Sequence, residues 1–217
     1  AAVALNIDSI TDSEVTEGVK KVYLTFDDGP SIYTEQILDI LDEYGVKATF
    51  FVTGEAGLEN ADRYAMITER GHTIGMHSFT HRYSEIYGSE EGFISDFTRI
   101  KEFLQNITGV TPVIYRFPGG SSNRVSSTDM NKLFDFLKEN DVQYFDWNVS
   151  SGDASVQTLS TERIVSNCML GIEQHGTSIV LFHDTSAKYT TVAALPIILE
   201  NLSQMEDVEI LPITKET

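Results

Sequence analysis

The run Val22-Tyr23-Leu24-Thr25-Phe26-Asp27-Asp28-Gly29-Pro30 decides how the rest of the chain is read. Its first five residues are β-branched, aromatic or aliphatic and stop at a Gly-Pro turn signal, which predicts a buried strand. Two adjacent carboxylates at the end of such a strand repel each other and resist desolvation. They persist there only with a cation, a proton or a dense set of donors. A solvated Asp-Asp turn is the plainer alternative, and the choice depends on what else the chain supplies.

Donors for a cation follow in Gly71-His72-Thr73-Ile74-Gly75-Met76-His77-Ser78-Phe79-Thr80-His81. His77 and His81 are four apart, which places two imidazoles on one side of a helical turn or tight loop. Two neutral nitrogens and one carboxylate, with positions left for water and substrate, suit a catalytic zinc-type site. His72 faces the other way by strand alternation and is read as structural. Further apolar runs end in Arg116 (Ile114-Tyr115-Arg116-Phe117-Pro118-Gly119-Gly120), in acids (Tyr144-Phe145-Asp146-Trp147-Asn148-Val149-Ser150-Ser151-Gly152-Asp153) and in His183-Asp184. Parallel strands with helical crossovers gather their C-terminal ends on one face, where such folds keep their active sites.

Strand patterns near 22–26, 48–52, 73–76, 113–116, 143–147, 177–182 and 208–211 alternate with helical patterns near 33–44, 60–70, 90–106, 127–140, 160–174 and 190–203. That alternation predicts an α/β fold with a mostly parallel sheet, and over this length a barrel or near-barrel. No GxGxxG or GxxxxGK[ST] follows a strand, so a nucleotide cofactor is not expected. The chain has 217 residues, 41% of them hydrophobic, enough for one well-cored domain. Residues 1–19, polar and acidic, are expected to be an N-terminal extension, with the domain proper over 20–217. A formal net charge of −18 argues against nucleic acid and anionic membrane surfaces. No apolar stretch approaches the roughly 18–20 residues of a membrane span. The single cysteine, Cys168, sits at helical spacing with Ile164 and Ile172 and is read as a core thiol.

In order, TFDDGP, HSFTH, RFPGG, DWNVSSGDA and LFHD resemble the five motifs of the polysaccharide deacetylase (NodB-homology) family, carbohydrate esterase family four. The resemblance covers residues 20 to 215, with the fourth motif the loosest, and bacterial peptidoglycan N-acetylglucosamine deacetylases are the most similar group. It implies a distorted, incomplete (β/α) barrel of about seven parallel strands. It also implies hydrolytic removal of N-acetyl groups from a β-1,4-linked amino-sugar polymer, peptidoglycan first, with chitin oligomers as surrogates. The expected cofactor is one divalent metal, Zn or alternatively Co, on Asp28, His77 and His81. Asp27 is then the general base, with Arg116 keeping it ionised, and His183 the general acid, tuned by Asp153. Asp184 is read as structural beside it.

The Gly119 backbone N–H is placed like the family's oxyanion donor and Leu181 like its acetyl-pocket leucine. Trp147 anchors the fourth motif and is expected at the substrate, and Tyr83 with Tyr87 is a candidate sugar-stacking wall. Ser150 and Ala154 depart from the family, which often has Asp and an aromatic there, so a more open pocket rim is expected. An acetylxylan esterase using the same residues is the alternative enzyme, and a catalytically silent carbohydrate-binding domain the alternative of another class. The protein is expected to be a monomer acting outside the cell or at the cell envelope.

Overall fold

The computed structural model describes residues 18–155 and 158–217. The expected N-terminal extension lies, but for its last two residues, outside the described residues. The described residues form eight strands: β1 (Lys20–Asp27), β2 (Thr49–Val52), β3 (Thr73–Met76), β4 (Ile114–Tyr115), β5 (Gln143–Tyr144), β6 (Val149–Ser150), β7 (Thr177–His183) and β8 (Val208–Ile210). Seven of them run in the order β5-β4-β3-β2-β1-β7-β6, and β8 pairs with the first residues of β1. Every pairing is parallel. The sheet curls but does not close, because its ends, β5 and β6, pair with no further strand among the described residues. The fold is therefore the expected incomplete (β/α) barrel.

One expected strand is shortened. The run 143–147 forms β5 only over Gln143–Tyr144, and the chain then crosses the open seam to β6, a strand that the sequence pattern did not give. A strand lacking a neighbour on one side has no ladder to continue, and here the neighbour is missing where the barrel gapes.

The helices α1 (Thr34–Glu43), α2 (Ala61–Glu69), α4 (Glu90–Thr108), α5 (Met130–Glu139), α6 (Thr161–Glu173) and α7 (Tyr189–Ser203) fall where periodicity placed them, and a short α3 (Tyr83–Ile86) was not expected. Helix α5 starts later than its pattern suggested. Ser126 accepts from the Thr128 N–H and donates to the Thr128 carbonyl, forming a local turn, and Asp129 then caps the helix by accepting from the Asn131 N–H.

Strand alternation sorts β1 into two layers. Val22, Leu24 and Phe26 join the large core under the helices, where the Phe26 ring stacks between Phe50 and Phe182 with centroids 5.1 and 5.2 Å away. Tyr23, Thr25 and Asp27 face the barrel interior. That interior has a small apolar floor of Tyr23, Phe51, Ile114 and Ile213, and it turns polar toward the C-terminal ends of the strands. The register sets Thr25 beside Leu181 and Asp27 beside His183, so the same alternation turns both β7 residues inward. Cys168 is buried and unpaired in the helix layer, as its spacing suggested. No helix among the described residues is long and apolar enough to cross a membrane.

Candidate active site

At the end of β1 the chain leaves the sheet abruptly. Asp28 takes a left-handed conformation (φ 73°), sparsely populated by residues other than Gly and Asn, while its N–H donates to the Phe51 carbonyl at 3.1 Å. The next residue has to be glycine, because a Cβ on Gly29 would lie 2.5 Å from the Asp184 carboxylate. That carboxylate is buried and accepts from the Ser31 and Thr34 hydroxyls, and the Asp184 N–H donates to the Asp27 carbonyl at 2.8 Å. Asp184 thus ties the β7 end to the β1 turn, consistent with its structural reading. Burial pushes its carboxyl above the usual range, opposed by the two hydroxyl bonds.

His77 follows β3 directly and is 3% exposed, and His81 ends a loop in which Ser78 (φ 81°) and His81 (φ 55°) are both left-handed. The pair therefore sits in a tight loop rather than on a helical turn. His77 Nδ1 lies 2.8 Å from the Arg116 carbonyl, to which it donates, which leaves Nε2 as a lone pair. Burial holds the His77 imidazole neutral, with its pKa down to about 3. Both Nε2 atoms converge on Asp28 Oδ1, at 3.5 Å from His77 and 3.3 Å from His81. This Oδ1 is buried without a hydrogen-bond partner. An orphaned buried carboxylate oxygen facing two imidazole nitrogens fits a cation, and the ligating atoms lie within 4.8 Å of one another.

Asp27 is 2% exposed and receives Arg116 Nη1 at 2.9 Å. Arg116 is itself fully buried, donating to Thr25 Oγ1 (2.6 Å) and to the carbonyls of Phe145 and Asp146 (3.0 Å each), with its guanidinium 4.2 Å from the centre of the Phe51 ring. Arg116 does favour the charged form of Asp27, as expected. Burial is nevertheless the larger influence, and the Asp27 carboxyl lies above its ordinary value despite Arg116 and His183.

Across the pocket, His183 Nδ1 meets Asp153 Oδ1 at 2.7 Å, and the His183 N–H and the Thr191 hydroxyl both donate to Oδ2 at 2.9 Å. For His183 the largest influence, desolvation, lowers the pKa. The hydrogen bond and charge of Asp153, with Asp27 and Asp28, outweigh it, so the imidazole is raised above 6.5. Asp153 is the mirror case: desolvation would raise it, but the bonds and charge of His183 and the Thr191 bond bring it below 3.8.

These groups share a cavity of about 250 Å³ with Tyr83, Gly119, Trp147, Ala154 and Leu181. Gly119 is left-handed (φ 77°), and a Cβ there would lie 2.8 Å from the Tyr83 hydroxyl. The expected site residues lie at this cavity, apart from Arg116 and Asp153, which stand behind Asp27 and His183, and Tyr87. Two rim expectations are corrected. Tyr87 is buried and donates to the Pro118 carbonyl at 2.7 Å, so it cannot offer a face to a sugar. Ser150 lies outside the cavity lining and accepts from the Gly152 N–H, whereas Ala154 does line it. His72 is structural, with Nδ1 accepting from the Ala48 N–H at 3.1 Å.

Sequence reasoning missed Asp96, a buried acid on α4 that accepts from the Phe79 and Thr80 N–H groups. Its signal was present: it falls three residues after Phe93, on the apolar face that Phe97, Ile100 and Leu104 continue, where an acid needs donors.

Comparison with known proteins agrees with this geometry. The family profile described as polysaccharide deacetylase matches residues 14–134, more than half of the chain. A putative polysaccharide deacetylase from Bacillus subtilis is 30% identical over 86% of this chain and 65% of its own length. A peptidoglycan-N-acetylglucosamine deacetylase from Bacillus cereus is 30% identical over 85% of this chain and 66% of its own. The chain thus spans about two thirds of the length of these two relatives. The crystal structure of the catalytic domain of a peptidoglycan N-acetylglucosamine deacetylase from Eubacterium rectale superposes with a TM-score of 0.86. It shares 41% identity and covers 96% of this chain and 94% of that one. The chain belongs to the polysaccharide deacetylase family.

Proposed function

We propose that this member of the polysaccharide deacetylase family hydrolyses the N-acetyl groups of N-acetylglucosamine residues in peptidoglycan, as a metal-dependent enzyme of the cell envelope. The observation that carries the proposal is the meeting of three groups in one cavity. An unpartnered Asp28 oxygen faces two imidazole nitrogens, Asp27 is paired with Arg116, and His183 with Asp153. The two relatives that work on peptidoglycan by name supply the substrate class. Residues 20–217 are the catalytic unit in this reading, and it acts as a monomer.

Asp28, His77 and His81 would hold the ion, with Zn favoured by two nitrogens and one oxygen, and Co as its substitute. Such an ion, when bound, acidifies water and polarises an acyl carbonyl. The remaining chemistry belongs to the chain. Asp27, held in one orientation by Arg116, takes the proton from the attacking water, and its upward displacement makes it a better acceptor than an ordinary aspartate. The water oxygen bonds to the acyl carbon, the carbon–nitrogen bond breaks, and His183 gives its proton to the departing amine.

The Asp153 carboxylate fixes His183 with Nδ1 engaged, which reserves Nε2 for the pocket and favours the protonated ring. The Gly119 N–H, which has no partner among the described residues, donates to the developing oxyanion. Leu181 and Ala154 enclose the acetyl methyl, and Trp147 and the half-exposed Tyr83 line the sugar.

The test is acetate release from peptidoglycan and from chitopentaose by metal-stripped protein, before and after addition of Zn2+ or Co2+. The proposal expects release from both, dependent on metal and abolished by chelator. A strong preference for acetylated xylan would make the protein an esterase. Binding of chitooligosaccharide without acetate release would make it a carbohydrate-binding domain.

A further inference from the structure

The two histidines that face Asp28 are held apart by a loop of unusual conformation, and one buried side chain outside the cavity fixes it. Between His77 and His81 two non-glycine residues, Ser78 and His81 itself, are left-handed, a conformation that persists only where surrounding bonds over-determine it. Asp96 Oδ2 accepts from the Phe79 N–H at 2.8 Å, and Oδ1 from the Thr80 N–H at 3.0 Å and the Thr80 hydroxyl at 3.1 Å. The Thr80 hydroxyl accepts in turn from the Arg82 N–H, and the Phe79 carbonyl from the Gly54 and Glu55 N–H groups. Asp96 is 4% exposed and stands on α4, whose Phe93, Phe97, Ile100 and Leu104 are sunk in the core. It therefore ties the loop to a helix anchored in the core.

The two rings depend on the loop unequally. His77 is buried and its Nδ1 is bonded to the Arg116 carbonyl, so its ring is fixed without Asp96. The His81 side chain is 39% exposed, with Nε2 facing Asp28 Oδ1 and its ring 5.2 Å from that of His77 and 5.8 Å from that of Tyr83. No ring nitrogen of His81 is anchored to the backbone as His77 Nδ1 is, so its place relative to His77 depends on the loop, in which the His81 N–H also donates to Ser78 Oγ. We propose that Asp96 is a positioning residue for metal capture: by clamping the Phe79 and Thr80 amides it presets the distance between the two imidazoles, and so sets the affinity for the ion. This rests on the metal reading of Asp28, His77 and His81.

The test measures the Zn2+ affinity of the metal-stripped full chain by competition with a chelating chromophore, alongside its melting temperature. Asp96→Asn replaces one acceptor by an NH2 that must face an amide N–H. Loss of an outer partner of metal ligands typically weakens binding about 10–100-fold, and that is the expected rise in Kd. Leu104→Ala, which cuts the same helix out of the core, controls for stability: it should lower the melting temperature while leaving Kd unchanged. Thr80→Val, which removes the hydroxyl's bonds to Asp96 and to the Arg82 N–H but keeps both clamped amides, should weaken Zn2+ in the same direction by less, and it decides the matter if Asp96→Asn does not fold.

Wild-type affinity in Asp96→Asn, or in Thr80→Val where that variant decides, overturns the assignment. So does an equal loss in Leu104→Ala. A wild-type protein that takes up no Zn2+ removes the metal reading and Asp96's role with it, whereas uptake that is the same in wild type and variants removes only the latter.

Discussion

Two halves of the barrel hold their shape by different means. In one, β1 and β7 run side by side for eight and seven residues, locked by a continuous register from Lys21 and Thr177 to Asp27 and His183. In the other, β4, β5 and β6 are two residues each, and the seam between β5 and β6 has no ladder. Side chains fasten the segment that crosses it instead. Arg116 reaches the Phe145 and Asp146 carbonyls, and Asn148 binds the Ile179 N–H and the Thr177 carbonyl. Backbone pairing carries Asp27 and His183 to the cavity on the first half, while the segment that crosses the seam is held by polar groups. One consequence is that Arg116 serves the seam and the Asp27 carboxylate at once.

The largest expected effect breaks that tie. Arg116→Met removes every bridging bond of the guanidinium and leaves Asp27 buried without its cation, which costs about 3–5 kcal/mol for an interrupted buried pair. Thr25→Val, on the ladder side, loses a hydroxyl between Arg116 and the Val180 carbonyl and should cost about 1 kcal/mol. Urea unfolding of the two variants measures the contrast, and equal losses would mean that the seam does not depend on Arg116.

Next in size is His183, at the end of the ladder. General acid catalysis contributes about 10²–10⁴-fold, so His183→Ala should lose that much acetate release from chitopentaose. It should lose far less on an aryl acetate, whose leaving group departs without a proton. Metal content should match wild type, and equal losses on both substrates would show that His183 does not protonate the amine.

Asp153→Asn is subtler. The Asp153 charge and hydrogen bond raise His183, so removing them lowers its pKa and should move the basic limb of the rate profile to lower pH. The stability signs follow from the same pair. The raised His183 stabilises fully below its ordinary 6.5, and that stabilisation is lost as pH rises through its folded value. The depressed Asp153 stabilises above 3.8 and loses this as pH falls through its own folded value. Midpoints of urea unfolding across pH should flatten in the variant, and a basic limb that stays in place would break the coupling. The smallest effect belongs to Ser150→Asp. An exposed position outside the cavity lining should change stability by no more than about 0.5 kcal/mol and leave the rate on chitopentaose as it was.

What the sequence showed follows the same division. Asp27, Asp28, His77 and His183 were legible because each ends or follows a strong apolar strand, and period-two alternation turns whole strands one way or the other. Legibility failed where the ladder fails. The run 143–147 reads as one strand because apolar content says nothing of a missing neighbour, and its end at Tyr144, with β6 beyond the run, depends on the barrel's opening. Tyr87 reads together with Tyr83 as a stacking wall, but it follows the short, unexpected α3 and is turned inward onto Pro118. Asp96 and Asp184 hold the two turns that bear His81 and Asp28, through partners 16 to 153 residues away. Their acidity was visible in the sequence, but their donors were not.

The central claim is that Asp28, His77 and His81 bind the ion while Asp27, beside them, takes the proton of the attacking water. Asp27→Asn separates the two functions most directly, with Zn2+ content and acetate release from chitopentaose measured on the same preparation. The account predicts a variant that carries as much zinc as wild type and releases almost no acetate. Acetate release at the wild-type rate would contradict it, as would loss of the zinc together with the activity.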